Sequence, residues 1–293
     1  MTIRLERRVP RATGPFVWVF PAIGYLLAVY VFPLVYSFAL TFQAYDPLTN
    51  QFSFSGLSNY VTIFRDDIFW HSFGFTSIFT VAAVSLQFLL GFGIALFFQQ
   101  DMSGREIFRG IMVVPTIVTP MICGLMWRVL LNTDRGLINY LLSFVGVPRI
   151  DWIGSPVFSV ISTILVDTWE WSAFIFLILF AGLQVLPVDA YEAAKIDGAS
   201  KWQTFRHVTL PLLQPVIMVA LIFRGADAFR LFDIVYTLTY GGPSYWTYSM
   251  HFLGYKAMFT YSRIGYASAV SWVILVVCML FMFAYYRVYY RKT

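Results

Sequence analysis

Stretches free of Asp, Glu, Lys and Arg run over 12–45, 68–100, 110–127, 171–188, 207–223 and 264–286. Each is about long enough to cross a roughly 30 Å hydrocarbon layer as a helix. The pattern predicts spans at 16–38, 71–98, 110–131, 157–182, 211–231 and 265–287. A β-barrel is disfavoured, because barrels alternate apolar and polar residues in short strands and these blocks are unbroken. The expected fold is therefore an all-α polytopic membrane protein with six spans. Its transmembrane domain covers 16–287, between tails at 1–15 and 288–293.

Composition agrees. The chain is 59% hydrophobic and 12% charged, too few charges to clothe a water-facing surface of this size. Aromatics make up 19%, as expected where amphipathic rings sit at headgroup level. The net charge of +5 is scattered between apolar runs and forms no basic stripe, which argues against nucleic acid. Cys123 and Cys278 lie inside apolar runs and read as packing residues.

The first block follows Arg4, Arg7, Arg8 and Arg11 and continues past Pro33, longer than a signal core, so it reads as an uncleaved anchor. With the N-terminus inside, the inner segments carry 12 Lys and Arg against 5 outside. This bias places both termini in the cytoplasm.

Between spans four and five, the loop 183–210 carries the local signals of two short helices. Asp189 with Glu192 reads as a cap with a box-like partner, and Gly198 as the residue that ends the first helix. Ser200 with Gln203 forms a second capping box, whose helix is expected to stop near Leu210-Pro211. Physical chemistry alone leaves two readings: an amphipathic helix lying on the membrane surface, or a docking element.

The loop also contains Glu192-Ala193-Ala194, then Gly198, then Val208 and Leu210-Pro211. Six identities at those spacings arise by chance at roughly one in ten million starting points. This order resembles the signature of permease subunits of binding-protein-dependent ABC importers, with Val208 where the pattern has Ile. Leu183-Gln184-Val185-Leu186-Pro187, Phe232-Asp233-Ile234-Val235-Tyr236-Thr237-Leu238-Thr239, Gly241-Gly242-Pro243 and Gly265-Tyr266-Ala267-Ser268-Ala269 extend the resemblance. They are similar to the carbohydrate branch, of the first-permease type related to maltose and glycerol-3-phosphate systems.

The resemblance implies a type-I importer fold in a bacterial or archaeal cytoplasmic membrane, with a cytoplasmic coupling helix. It implies a separate ATPase, present in two copies, that binds ATP and Mg. A solute-binding protein and a second permease subunit complete the assembly, the second permease being a different chain or another copy. The chain itself has no Gly-x-x-x-x-Gly-Lys-Ser/Thr loop and needs no cofactor of its own. Glu192, Ala193, Ala194, Gly198, Leu210 and Pro211 become the expected ATPase-coupling residues, although Gly198 also reads as a plain helix cap.

Charges at membrane depth cost about 2.5–3.5 kcal/mol each, so two clusters need a reason. Asp167 and Glu170 stand beside Trp169 and Trp171 in span four, and Arg224, Asp227, Arg230 and Asp233 recur every three residues near the end of span five. The second set reads first as a self-neutralising ladder. The functional reading is a polar wall of the substrate path formed by Asp167, Trp169, Glu170, Arg224, Asp227 and Tyr236, where a hydroxyl-rich solute would bond and stack. Arg224 and Arg230 would also suit a phosphorylated solute. Asp167 and Glu170 would suit proton relay in an ion-driven secondary transporter, a class the loop argues against. Pro115 and Pro120 predict a kink in span three, and Gly91 with Gly93 close packing in span two. His71, His207 and His251 are scattered, so no metal site is expected, and no catalytic constellation is visible.

Overall fold

The computed structural model describes residues 16–99 and 105–290; the tails 1–15 and 291–293, with their arginines and lysine, lie outside the described residues. The chain begins with α1 (Phe16–Leu26), which passes through a widened π-helical turn into α2 (Phe32–Leu40). Strands β1 (Gln43–Asp46) and β2 (Gln51–Phe54) then pair antiparallel as a hairpin. Asp46 closes it by accepting Leu48 N–H and Thr49 Oγ1–H at 2.9 Å each.

Helices α3 (Ser58–Arg65) and α4 (Asp67–Phe97) follow, α4 capped by the Asp66 carboxylate on Ile68 N–H at 2.9 Å. The predicted third span is two helices, α5 (Arg105–Ile117) and α6 (Pro120–Leu130), bent by 97°. Pro120 has no N–H to continue the ladder, and Pro115 removes another donor one turn earlier. The predicted kink is thus a full break.

Next come α7 (Leu137–Ser143), α8 (Pro156–Gln184) and α9 (Val188–Ile196). α10 (Lys201–Thr204) runs through a π-helical turn, Phe205–Thr209, straight into α11 (Leu210–Phe229). The helix expected to stop near Leu210-Pro211 does not stop; 201–229 is one continuous helix of 29 residues. Leu210 N–H reaches back five residues to Phe205 O, and this wider turn accommodates Pro211. A further π-helical turn (Val235–Thr239), α12 (Met250–Tyr255) and α13 (Ile264–Tyr290) complete the chain. Among the described residues, five helices are long and apolar enough to cross a membrane, or six counting the broken pair.

α4 and α8 run parallel in close contact. A Cβ at Gly91 would stand 2.8 Å from Phe176 N, Ser172 O and Ile175 Cγ2, so only glycine permits this approach. Gly93, expected to share that role, faces open space. α11 returns antiparallel along α8, with Gly182 facing Leu213 and Val216. α13 braces the bundle, its Tyr266 hydroxyl donating to Asp66 Oδ2 at 2.7 Å and its Trp272 ring meeting Phe38 of α2 at 4.8 Å.

Two apolar clusters result. One gathers Phe75, Phe79, Val166, Ala228 and Val270; the other gathers Phe92, Ile175, Phe176, Leu213 and Ala220. On α4, α8 and α11 alike, the residues between the clusters are polar: Gln87, Asp167 with Glu170, and Arg224. The fold therefore places one polar layer between two greasy ones.

Candidate functional site

The first candidate region is the loop between α8 and α11. None of the residues of α9 is buried, and Ile196 and Trp202 stand bare at its far end and on α10. The helix is nevertheless fixed in place. Tyr191 donates its hydroxyl to Thr209 Oγ1 at 3.0 Å, and Trp202 stacks on Phe205, which packs against Phe92 of α4.

Its caps are only partly as the sequence predicts. Pro187 is the N-cap and no side chain caps α9; Asp189 sits inside the first turn, where it meets the helix dipole instead. Gly198, at φ +72°, ends α9: its own N–H bonds Lys195 O at 3.2 Å, and Ala199 N–H bonds Ala194 O at 2.9 Å. Ser200 and Gln203 form the expected reciprocal box, with Ser200 N–H on Gln203 Oε1 at 2.7 Å and Gln203 N–H on Ser200 Oγ at 3.3 Å. Glu192, Ala193, Gly198, Leu210 and Pro211 are exposed and Ala194 half-buried, although Leu210 and Pro211 open α11 and not the loop.

The second region is the polar layer. Arg224 is 1% exposed and is the hub. Its Nε–H donates to Gln87 Oε1 at 2.7 Å, its NH1 to Asp227 Oδ2 at 2.8 Å, and its NH2 to Asp167 Oδ2. Gln87 in turn donates to Asp167 Oδ2 at 2.7 Å, and the guanidinium lies 4.8 Å from the Trp171 ring centre. Three spans are thus tied through one cation. The ladder read from spacing forms only its first step, Arg224 to Asp227; Arg230 caps the end of α11 and is exposed, and Asp233 lies beyond the helix. Helix termination at Phe229 breaks the three-residue register on which a ladder depends.

Asp167, Arg224 and Asp227 open onto a small cleft of about 70 Å³, also lined by Pro120, Trp171, Phe232 and Asp233. Trp169, Glu170 and Tyr236, predicted for the same wall, do not line it. Trp169 meets Trp127 of α6 edge-on at 5.7 Å, and Glu170, 2% exposed, faces the break between α5 and α6, its backbone carbonyl accepting Thr116 Oγ1–H at 3.2 Å. Tyr236 belongs to a neighbouring aromatic group with Phe232, Tyr240 and Tyr255. Gln87 was missed by sequence reasoning; its signal was an amide alone near the middle of an apolar span.

Crowding of like charge is visible at the rim, where burial and the nearby Asp227 push the Asp233 carboxyl above the usual carboxylate range. Among the described residues, no group of three His, Cys, Asp or Glu could hold a metal ion.

A short exposed helix thus projects between two spans, and a broken span lies beside a charged layer. A family model described as binding-protein-dependent transport system inner membrane component matches residues 87–293. The chain belongs to this family. The permease is 35% identical over 288 residues to the trehalose/maltose transport system permease protein MalF of Thermococcus litoralis, covering 98% of this chain and 97% of that one. It is 33% identical over 272 residues to the trehalose transport system permease protein SugA of Mycobacterium tuberculosis, covering 92% and 87%.

Among solved structures, a chain of a bacterial ABC transporter involved in the import of the acidic polysaccharide alginate superposes with a TM-score of 0.83 at 21% identity, over 95% of both chains. That likeness concerns the fold. The protein is a multi-pass inner-membrane permease component of an ABC importer, and a transport part rather than an enzyme.

Proposed function

We propose that this permease carries a sugar or related polyol and contributes half of the pathway, coupled to a separate ATPase through α9. The observation that carries this reading is the exposed α9, ended at Gly198 and joined through one turn to a 29-residue helix that the Ser200–Gln203 box opens. Such an element transmits rigid-body motion, where a flexible loop would absorb it. Glu192 makes the charged contact, Ala193 and Ala194 allow close approach, and Gly198 sets the bend. This orientation puts α9 and both termini in the cytoplasm.

The full machine contains a second permease subunit of different sequence, two ATPase copies that bind ATP and Mg, and a solute-binding protein at the opposite face. Closure of the ATPases draws the coupling helices together and turns the path outward. The sugar class is supported by the names of the relatives. A phosphorylated solute is less suited to this cleft, because Arg224 is already shared by two carboxylates and an amide. An ion-driven carrier working alone finds no support in the family.

The test is co-purification of the permease with its partners, then ATPase activity against a panel of sugar-loaded binding proteins. Stimulation by one of them is expected; failure of any ATPase to associate would sink the reading.

A further inference from the structure

Two apolar cavities lie end to end between α4 and α13. The upper, about 430 Å³, is walled by Phe38 of α2, Tyr60 and Phe64 of α3, Trp70 and Trp272. The lower, about 190 Å³, is walled by Ser77 and Val81 of α4, Gly225 and Ala226 of α11, and Cys278 and Phe281 of α13. Phe73 and Val277 line both, so the two form one furrow. From Phe69 to Val81 along α4 it runs roughly 18 Å, at about 1.5 Å per residue, a little more than half of a roughly 30 Å hydrocarbon layer. Because α4 runs parallel to α8, which leads into α9, the furrow lies in the half of the membrane opposite α9.

The furrow offers water little. The hydroxyls of Ser77 and Thr80 donate within their own helix, to Phe73 O at 2.8 Å and Thr76 O at 2.7 Å, whereas a buried water needs about two to four polar partners. Its rims at Trp70, Val81 and Val276 are exposed, so it opens sideways onto the surface that these spans present to the membrane. A helix about 10 Å across would need roughly 1,400 Å³ over that length, more than both cavities hold. A single hydrocarbon chain is the occupant of matching width. At the mouth, Tyr60, Phe64 and Trp70 gather, and the exposed Arg65 follows Phe64 in the chain. Rings and a cation together suit the headgroup level of a bilayer.

We propose that the furrow is a phospholipid site, in which one acyl chain of the leaflet opposite α9 lies along α4 and α13 with its end against Gly225 and Ala226. The lipid phosphate then stands at the level of Arg65, Tyr60 and Trp70. Gly225 and Ala226 directly follow Arg224, so the chain packs against the helix whose guanidinium holds Asp167. The membrane itself thereby supports the polar layer from behind, whichever solute is carried.

The assembled importer is placed in vesicles of phosphatidylethanolamine and phosphatidylglycerol doped with a phosphatidylethanolamine that carries a photoactivatable diazirine at mid-chain. After irradiation, the labelled peptides are mapped by mass spectrometry. Label is expected on α4 between Phe69 and Val81 and on α13 between Trp272 and Phe281. Ala226→Phe fills the lower part with a ring and should reduce that label about tenfold, equivalent to about 1.4 kcal/mol, with label on α1 unchanged. Absence of label from both stretches in wild type overturns the proposal and makes the furrow a seat for another protein segment. Equal label in the variant overturns it too, since lipid would then only pass by. Should Ala226→Phe fail to assemble, the wild type decides alone: label that survives exchange of the lipid for detergent before irradiation supports a held chain, and its loss overturns it.

Discussion

Arg224 and Asp167, 57 residues apart in sequence, form a buried ion pair that locks α11 to α8 at the level where two apolar clusters meet. Removing one partner leaves the other buried with its main countercharge gone. Arg224→Ala is expected to destabilise the permease by about 3–5 kcal/mol, whereas Arg224→Met combined with Asp167→Leu should recover most of that loss. Thermal unfolding of the purified protein in detergent checks the non-additivity; equal loss in single and double variants would refute the pair as the cause.

Gly91 offers a sharper packing test. Gly91→Ala places a methyl 2.8 Å from the backbone of Ser172 and Phe176 and should cost about 1–3 kcal/mol. Gly93→Ala meets nothing and should leave the unfolding midpoint unchanged or slightly raised. The contrast between two glycines on one helix removes helix propensity as an explanation.

In the loop between α8 and α11, Gly198→Asp puts a side chain where φ is +72°, disfavoured by of order 1 kcal/mol. The spans do not depend on this residue. The variant should insert and fold yet lose sugar-stimulated ATPase activity, and Glu192→Lys should do the same by reversing a charge. Normal uptake by both variants would contradict the role given to α9.

His251 on α12 supplies a pH signature. Burial, with Arg230 nearby, lowers its pKa to about 4, while an unfolded histidine protonates near 6.5. Between those values the unfolded chain binds more protons, so stability falls as pH drops from about 6.5 to about 4, by on the order of 3 kcal/mol, and levels off below. His251→Gln should flatten that part of the curve relative to wild type. Parallel curves would show that the ring is accessible to protons when folded.

The spans were legible because scarcity of charge along a chain is itself the signal, and the box at Ser200 and Gln203 because it is local. Asp189 was misread as a cap because Pro187 already supplies the extended residue that starts α9. The fusion of loop and span across Pro211 escaped notice, since a proline normally ends a helix and only the wider turn at Phe205–Thr209 lets it continue. The pairing of Arg224 with Asp167 and Gln87 was hidden for a different reason. It depends on which faces of three distant helices meet, whereas the regular spacing of Arg224, Asp227, Arg230 and Asp233 suggested a local answer.

The unbroken helix over 201–229 joins the loop between α8 and α11 to the buried ion pair in one piece. At about 1.5 Å per residue it is roughly 43 Å long, with the capped end at Ser200 and Arg224 near the other. A twist applied at Ser200 therefore arrives at Arg224 as a twist, lessened only by whatever the π-helical turn at Phe205–Thr209 takes up. Arg224, paired to Asp167, rides on the same helix that the Ser200 cap opens, so a displacement at the loop is a displacement of one partner of that pair.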